Sequence, residues 1–259
     1  MFLFRAFFAE SVVRCVNCDF VFTNPRPTAS ALERYYTEDY ALEGLPIPQS
    51  VAEFLSDSYK EIWFSKDRDL NLILETKTSG RLLDIGCASG TLLWLAKQKG
   101  FDVRGVEVGV HSAEFVRNVL GIEVFCGQLE AAQFPDNSFD VITMFHALEH
   151  VPFPRTVVRE ARRILAPTGV FIAVVPNYSS WSSERFGKEW IWLQPQNHYS
   201  HFTPHSLMKL FASETLACQI RTEEGRYGEV EIRKAFAEPE IGRVFSQLKG
   251  SELVAFGFK

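Results

Sequence analysis

From Arg81 onward the chain alternates between short apolar runs and segments whose apolar residues recur at helical spacing. The runs of strand length are Arg81–Ile85, Asp102–Val108, Glu123–Cys126, Phe139–Phe145 and Val170–Val175, and the helical segments are Thr91–Lys99, Ser112–Leu120 and Pro154–Leu165. This alternation predicts an α/β domain with parallel strands joined by right-handed helical crossovers. A helix over Pro204–Ala212 and two last strands, Cys218–Glu223 and Glu252–Phe258, complete a predicted domain over residues 79–259.

The residues before this domain follow other patterns. Residues 1–27 are aromatic and β-rich, and they end in the turn-forming stretch Asn24-Pro25-Arg26-Pro27. Residues 28–78 are expected to form a helical cap, with helices over Ala29–Tyr40 and Val51–Leu74. The chain is therefore predicted to carry a small β and helical extension in front of its α/β domain.

Composition narrows the classes of partner. The chain has 259 residues and a formal net charge of −5, which disfavours a protein that grips nucleic-acid phosphates with a basic face. No apolar run approaches the roughly 20 residues of a membrane-spanning helix. The apolar start is interrupted by Arg5 and followed by Glu10, so we interpret it as a strand rather than an export signal. Five cysteines without regular spacing favour a reducing cytoplasm over a disulfide scaffold.

A glycine turn follows the first strand of the α/β domain. Gly86 and Gly90 bracket it, at the point where free N–H groups of the next helix would meet a ligand. Ala88 stands where a dinucleotide-binding turn needs its middle glycine. Asp84 would repel a pyrophosphate but suits a ligand with an ammonium group, and Glu107, at the end of the second strand, can accept both hydroxyls of a ribose. Together they predict a site for an adenosine with a cationic tail, as in S-adenosylmethionine.

Four short motifs strengthen this interpretation. They are Leu82-Leu-Asp-Ile-Gly-Cys-Ala-Ser-Gly90, Gly105-Val106-Glu107, Phe134-Pro-Asp-Asn-Ser-Phe-Asp-Val-Ile142 and Leu148-Glu149-His150-Val151. In this order and spacing the chain resembles the class I S-adenosylmethionine-dependent methyltransferases from Arg81 to its last residue. The resemblance implies a Rossmann-like sheet of seven mostly parallel strands, the last one antiparallel.

The same resemblance assigns roles around the cofactor. Asp84 and Gly86 would lie near its methionine part, Glu107 would bind the ribose, and Gln128 and Leu129 would flank the adenine. His146, just past the fourth strand, would sit near the transferred methyl group. The full set of positions assigned to the cofactor is Asp84, Gly86, Cys87, Gly90, Glu107, Gln128, Leu129 and His146.

The amino-terminal stretch supports a narrower resemblance. Residues Arg14 to Pro27, with Cys15-Val-Asn-Cys18 and the later Tyr35-Tyr36 and Tyr40, are similar to a bacterial methyltransferase group that has a zinc ribbon before its catalytic domain. That group has an earlier Cys-x-x-Cys, which is missing from residues 1–14. Tetrahedral zinc takes four ligands, so we interpret residues 1–27 as a degenerate ribbon without metal. A truncated start and a ligand from another chain remain the alternatives.

A histidine-rich motif follows the fourth strand. His146-Ala-Leu-Glu149-His150 matches the H-x-x-E-H signature of one metalloprotease class, but Pro152 and Pro154 exclude the long helix which that signature needs. Quinone-type O-methyltransferases resemble the chain around Glu149-His150, and they hold a divalent metal there with an acid where His146 stands. Histidine in place of that acid weakens a magnesium site, so no metal is assigned. Alternatively, Glu149 and His150 only brace the start of the next helix.

Residues 176–203 show no clear period and are rich in Ser, Trp and His, so we expect a lid after the fifth strand. Methyl transfer to a hydroxyl needs a close acceptor, exclusion of water and a group that takes the proton. His198, His201 and His150 are the candidates, in that order, whereas Trp190 and Trp192 are expected to pack the lid. A packing role is the alternative for each histidine.

These observations predict a methyltransferase that uses S-adenosylmethionine and acts on an oxygen nucleophile of a small molecule, such as a sugar or a natural product, with carbon and nitrogen acceptors as the alternatives. The alternative is a non-catalytic protein that keeps the fold and acts in assembly. A nicotinamide-dependent oxidoreductase is disfavoured by Ala88 and Asp84.

Overall fold

The computed structural model describes residues 3–5, 11–26, 28, 48–223 and 249–259. They divide between two compact units, each assembled from separate stretches of chain. The first unit comprises Met1–Thr28, His146–Val158 and Ala173–Gly257, and the second comprises Ala29–Phe145, Arg159–Ile172 and Phe258–Lys259. The predicted helix Ala29–Tyr40 lies outside the described residues. None of the described helices has the length and apolar character that crossing a bilayer requires.

The strands and helices follow the chain in regular alternation after residue 80. The strands are β1 Leu3–Arg5, β2 Ser11–Arg14, β3 Val21–Asn24, β4 Arg81–Ile85, β5 Asp102–Glu107, β6 Glu123–Cys126, β7 Phe139–Phe145, β8 Leu165–Pro176, β9 Ser200–His201, β10 Ala217–Glu223 and β11 Glu252–Phe258. The α-helices are α1 Val51–Phe54, α2 Lys60–Leu74, α3 Thr91–Gln98, α4 Val110–Asn118, α5 Pro154–Ile164, α6 Trp181–Phe186 and α7 Pro204–Ser213. Short 3₁₀ turns cover Asp57–Tyr59, Leu129–Ala132, Leu148–His150 and Gly187–Glu189.

Seven strands form the main sheet in the order β10-β11-β8-β7-β4-β5-β6. The sheet is mostly parallel and its last strand in the chain, β11, is antiparallel, which confirms the predicted fold class. β4 pairs in parallel with β5 on one side and β7 on the other, so its two inner residues Leu82 and Leu83 are fully buried. Because the carboxyl ends of parallel strands meet at one edge, the chain segments that follow β4, β5 and β6 lie together there.

A smaller sheet of four strands lies in the first unit, in the order β1-β2-β3-β9. β2 and β3 form an antiparallel hairpin whose connection carries Cys15 and Cys18. β3 also pairs with the two-residue strand β9, in the register Val21↔His201 and Phe22↔Ser200. The amino-terminal strands are thus joined by backbone hydrogen bonds to the segment that carries two of the candidate histidines.

Most predicted spans agree with the structure to within two residues at each end, and two differ by more. The helix predicted over Val51–Leu74 is two helices, α1 and α2, separated at Leu55–Tyr59. Ser56, Asp57 and Ser58 fall at this break, and short polar side chains compete for backbone hydrogen bonds that a continuous helix needs. The strand predicted over Val170–Val175 is longer in the structure, because β8 begins at Leu165, directly after α5, and includes Pro167, Thr168 and Gly169. Proline disfavours helical backbone at the residue before it, so the chain is already extended at Ala166.

Candidate active site

The turn after β4 has the backbone geometry that the glycine spacing predicted. Gly86 and Gly90 adopt φ angles of 76° and 73°, in the left-handed region, and the N–H groups of Gly86 and Cys87 both donate to the Val106 carbonyl, at 2.8 and 3.2 Å. A Cβ on Gly90 would stand 2.8 Å from Cγ2 of Val116. Only glycine therefore fits position 90 without a shift of its neighbours.

Two buried carboxylates flank this turn in the second unit. Asp84 is 5% exposed, and Glu107 is 4% exposed. The Thr143 hydroxyl donates to Oδ1 of Asp84 at 2.7 Å. Burial raises the pKa of Asp84 to about 7, against the lowering effects of the Thr143 hydrogen bond and of the Lys66 charge. A buried carboxyl group held in this way gains free energy from a cationic ligand, because the ligand replaces the solvation that burial removes.

Glu107 is held by backbone donors on both sides of it. The Ala88 N–H donates to Oε2 at 2.8 Å, and the Gly109 N–H donates to Oε1 at 2.7 Å. Burial raises the pKa of Glu107, and these N–H groups oppose that rise. A carboxylate oxygen accepts more than one hydrogen bond, so each oxygen keeps capacity for a ligand hydroxyl.

The remaining positions assigned to the cofactor in the second unit are Cys87, Gln128 and Leu129. Sγ of Cys87 lies 2.7 Å from where a Cβ on Gly105 would stand, so the thiol packs onto β5. Gln128 is exposed and Leu129 is buried, directly after β6. The Gly127 N–H donates to the Glu107 carbonyl at 2.9 Å, which ties this segment to the end of β5.

His146 begins the second stretch of the first unit, immediately after β7, with a φ angle of 51°. Its Nε2 lies 3.4 Å from Oε1 of Glu252, and its Nδ1 lies 3.7 Å from Oε1 of Glu149. The indole of Trp192 stacks on the imidazole with ring centroids 5.6 Å apart. Burial by itself lowers the pKa of His146, but the charge of Glu252 and the contacts with both carboxylates raise it to about 10. His146 is therefore an imidazolium at neutral pH.

The structure brings His150, His198 and His201 together in the first unit. The rings of His150 and His198 meet edge to face with centroids 4.6 Å apart, and those of His198 and His201 are 6.3 Å apart. The ring centroid of His201 also lies 5.6 Å from that of Tyr178. The three candidates named from the sequence thus form one cluster of neighbouring rings.

Each of these three rings is neutral at neutral pH. Burial lowers the pKa of His150, burial lowers that of His198 well below its usual range, and burial lowers that of His201 to about 4. Nδ1 of His150 donates to the Asn197 carbonyl at 3.1 Å, because a carbonyl only accepts. His150 therefore carries its lone pair on Nε2, the form of imidazole that accepts a proton or binds a metal.

A carboxylate completes this histidine cluster. Glu149, His150 and His198 each offer one ligand atom, and these atoms lie within 4.8 Å of one another. Oε2 of Glu149 is buried and has no hydrogen-bond partner among the described residues. The Tyr199 N–H donates to the Glu149 carbonyl at 2.8 Å, which holds the segment of His198 against that of His150.

Two contacts of the histidines were not predicted from the sequence: that of Glu252 with His146, and that of the Thr23 hydroxyl with Nε2 of His201, at 3.0 Å. Glu252 is the first residue of a strand otherwise built from apolar residues, and Thr23 shares the buried face of β3 with Val21. Glutamate is almost never fully buried, so a glutamate at the start of a predicted strand does not indicate a buried charge. The hydroxyl of Thr23 gives no signal, because threonine is common in strands.

A family model described as a methyltransferase domain matches residues 58–215, which is more than half of the chain. The chain belongs to this methyltransferase family. Its class I members use S-adenosylmethionine as methyl donor. The match begins before α2 and ends after α7, so it includes the glycine turn, both carboxylates and the histidine cluster.

Relatives with assigned names include the ubiquinone biosynthesis O-methyltransferases. That of Pseudomonas aeruginosa strain UCBPP-PA14 is 34% identical over 102 residues, which is 37% of this chain and 44% of the relative. That of Neisseria meningitidis serogroup A is 35% identical over 104 residues, again 37% of this chain and 44% of the relative. The chain spans about half the length of the curated relatives it matches, between 44% and 53% for these and the Histophilus somni protein.

Solved methyltransferase structures have the same fold. A SAM-dependent methyltransferase from Archaeoglobus fulgidus superposes with a TM-score of 0.58 at 20% identity, covering 76% of this chain and 93% of that chain. A Thermotoga maritima SAM-dependent methyltransferase, described as a possible histamine N-methyltransferase, gives a TM-score of 0.56 at 18% identity, covering 89% and 99%. At these sequence identities, the superpositions show that the chain shares the fold of these two methyltransferases.

The residues of the second unit fit S-adenosylmethionine. Asp84 is a buried carboxyl group whose strongest charged neighbours are other acids and a single lysine, which suits an α-ammonium group. Glu107 keeps acceptor capacity for ribose hydroxyls beside a turn whose glycines let a ligand approach the backbone. When bound, the cofactor supplies a methyl group on a positively charged sulfur, which is an electrophile that needs no metal or redox partner.

Proposed function

We propose that this protein transfers the methyl group of S-adenosylmethionine to a hydroxyl oxygen of a small molecule. The observation that carries the proposal is the cluster of His150, His198 and His201, three neutral imidazoles gathered from two separate stretches of chain in the first unit. Neutral imidazoles accept protons, and a hydroxyl acceptor must lose one proton during transfer. The names of the ubiquinone relatives support an oxygen acceptor.

Different residues of the chain bind the cofactor, accept the proton and contribute positive charge. Asp84 and Glu107 hold the cofactor in the second unit. His198 takes the proton of the acceptor hydroxyl, with His201 and His150 as the further candidates. As oxygen bonds to the methyl carbon, its remaining proton becomes far more acidic than that of a free alcohol, so an imidazole with a lowered pKa still accepts it. His146, which is already protonated, contributes positive charge instead of accepting a proton.

The acceptor is proposed as a sugar, a phenol or another natural product bearing hydroxyl groups.

The domain organisation proposed with it is a degenerate ribbon-like segment at 1–27, a cap at 28–78 and the methyltransferase domain at 79–259, with a lid near 176–203. The proposed setting is the cytoplasm, as expected from the cysteine spacing in the sequence. The proposal assigns the lone pairs of the cluster to proton acceptance and not to a metal.

An acceptor panel tests the proposal. The protein is incubated with methyl-labelled S-adenosylmethionine and with phenols, catechols, sugar nucleotides and amines, and labelled products are identified by mass spectrometry. We expect label on oxygen, and a loss of turnover of about 10²-fold or more in His198→Gln, the lower range for a general base. His205→Gln is the matched control, because His205 lies on α7 outside the cluster.

Three results would contradict the proposal. Label on carbon or nitrogen alone would exclude an oxygen acceptor. Wild-type turnover in His198→Gln would remove this residue from the mechanism. Activity that is abolished by a chelator and restored by zinc or manganese would show that Glu149, His150 and His198 act as metal ligands.

A further inference from the structure

Thr23 contacts two of the candidate catalytic histidines, although it lies in the amino-terminal hairpin. Its side chain is fully buried at the end of β3. Oγ1 of Thr23 lies 2.7 Å from the carbonyl oxygen of His198 and 3.0 Å from Nε2 of His201. One hydroxyl group therefore joins the backbone of the first candidate base to the ring of the second.

The directions of these two hydrogen bonds follow from the number of available protons. A hydroxyl group has one proton, and a carbonyl oxygen can only accept. Thr23 therefore donates its proton to the His198 carbonyl, so its contact with His201 is a hydrogen bond only when Nε2 of His201 carries a proton and donates it. Because burial keeps the His201 ring neutral at neutral pH, the lone pair then lies on Nδ1.

Backbone pairing fixes Thr23 relative to the same segment. The Thr23 N–H donates to the Tyr199 carbonyl at 3.1 Å, and β3 pairs with β9 with Val21 opposite His201. The hydroxyl thus projects from a strand that is paired with the three residues directly after His198. This arrangement leaves little freedom for the His201 ring to rotate and exchange its two nitrogens.

A second contact ties the hairpin to the segment that carries His150. Nη1 of Arg26 donates to the Pro152 carbonyl at 2.8 Å, and the guanidinium lies 5.9 Å from the ring centroid of Phe153 and 6.0 Å from that of Tyr199. Arg26, directly after β3, therefore contacts both of the chain stretches that carry the histidine cluster.

We propose that Thr23 is a positioning residue of the active site: it holds His201 with Nε2 protonated and Nδ1 free to accept a proton, and it anchors the backbone of His198. The amino-terminal strands, which the sequence presents as the remnant of a zinc ribbon, thus form part of the machinery for proton acceptance. The expected change in kcat rests on the proposed function. The tautomer of His201 does not, because it is a property of the protein without any substrate.

Nitrogen-15 NMR of the full-length protein, labelled on histidine, tests the tautomer directly. Assignment of the His201 ring by comparison with His201→Gln should show a proton on Nε2 and none on Nδ1 at pH 7. Thr23→Val keeps the branched shape but removes the hydroxyl, and it should give a mixture of tautomers. Thr23→Ser, which keeps the hydroxyl, should restore the wild-type spectrum. Thr76→Val is the matched control, because it removes a hydroxyl that donates to the Ile73 carbonyl at 2.9 Å away from the histidines.

Kinetics with an accepted substrate form the second arm. Thr23→Val should lower kcat about 10- to 100-fold with affinity for S-adenosylhomocysteine unchanged, and Thr23→Ser should recover most of the loss. A proton on Nδ1 of wild-type His201, or a wild-type spectrum in Thr23→Val, overturns the proposal, as does an unchanged kcat in that variant. If Thr23→Val does not fold, the wild-type spectrum still decides. If no acceptor is methylated but Nε2 carries the proton, the proposed function fails while the assignment of Thr23 stands.

Discussion

Nε2 of His146 lies 3.4 Å from Oε1 of Glu252, although His146 follows β7 and Glu252 begins β11. Glu149 lies on the other ring nitrogen, and Trp192 covers one ring face. An aromatic face attracts a cation, so three groups favour the protonated ring. His146 thereby differs in charge from His150, His198 and His201, whose pKa values burial lowers.

Glu252→Gln should lower the pKa of His146, because the charge of Glu252 is the largest contribution that raises it. The ring is protonated to about pH 10 in the folded protein and to about pH 6.5 in an unfolded chain. The stabilisation from this pair is therefore complete below about pH 6.5 and is lost as pH rises through 10. NMR titration of the His146 ring measures the change, with the exposed Glu189→Gln as control. An unchanged pKa in Glu252→Gln would show that the pair does not set the charge of His146.

Asp84→Asn should stabilise the protein in the absence of cofactor while weakening cofactor binding. Burial raises the pKa of Asp84 to about 7, so the ionised form costs free energy that appears as pH rises from about 4 to 7. Over about three pH units the cost reaches roughly 4 kcal/mol. The amide oxygen can still accept from Thr143 but carries no charge.

Urea unfolding at pH 5 and pH 8 measures this effect. The gain in the free energy of unfolding should be larger at pH 8 by about 2 kcal/mol or more, since most of the cost of ionising Asp84 arises between these values. Asp102→Asn is the control, because Asp102 is exposed at the start of β5. A gain that is equal at both pH values would mean that Asp84 is ionised in the folded protein with no penalty.

Gly90→Ala should destabilise the protein more than Gly121→Ala. Both glycines have a left-handed backbone, with φ angles of 73° and 61°, so both substitutions lose about 1 kcal/mol to backbone strain. Only at Gly90 does the added Cβ meet a neighbour, Cγ2 of Val116 at 2.8 Å, whereas at Gly121 nothing lies within 4 Å. We expect an additional loss of about 1–3 kcal/mol at Gly90. Equal losses would show that Val116 moves aside without cost.

The strands of the main sheet could be predicted closely from sequence. Arg81–Ile85, Glu123–Cys126, Phe139–Phe145 and Glu252–Phe258 have the predicted bounds, because each is a short run whose ends carry a turn residue or a charge. The turn proposed to bind the cofactor could also be predicted, because its glycines follow β4 directly and its two acids lie at the ends of β4 and β5. The contacts of Thr23 and Glu252 with the histidines could not be predicted, because they depend on tertiary packing that brings distant stretches together. The break after α1 was missed because helical spacing continues across it.

Titration of the full-length protein with S-adenosylhomocysteine by calorimetry tests the central claim, that Asp84, Glu107 and the glycine turn bind the adenosine and amino-acid parts that this product shares with S-adenosylmethionine. We predict binding at one site, a loss of about 1–3 kcal/mol of affinity in Glu107→Ala through unpaired hydrogen-bonding groups, and no loss in Glu123→Ala, which removes an exposed glutamate paired with Arg104. NAD should not bind. Absence of binding at saturating S-adenosylhomocysteine, or binding of NAD in its place, would contradict the account.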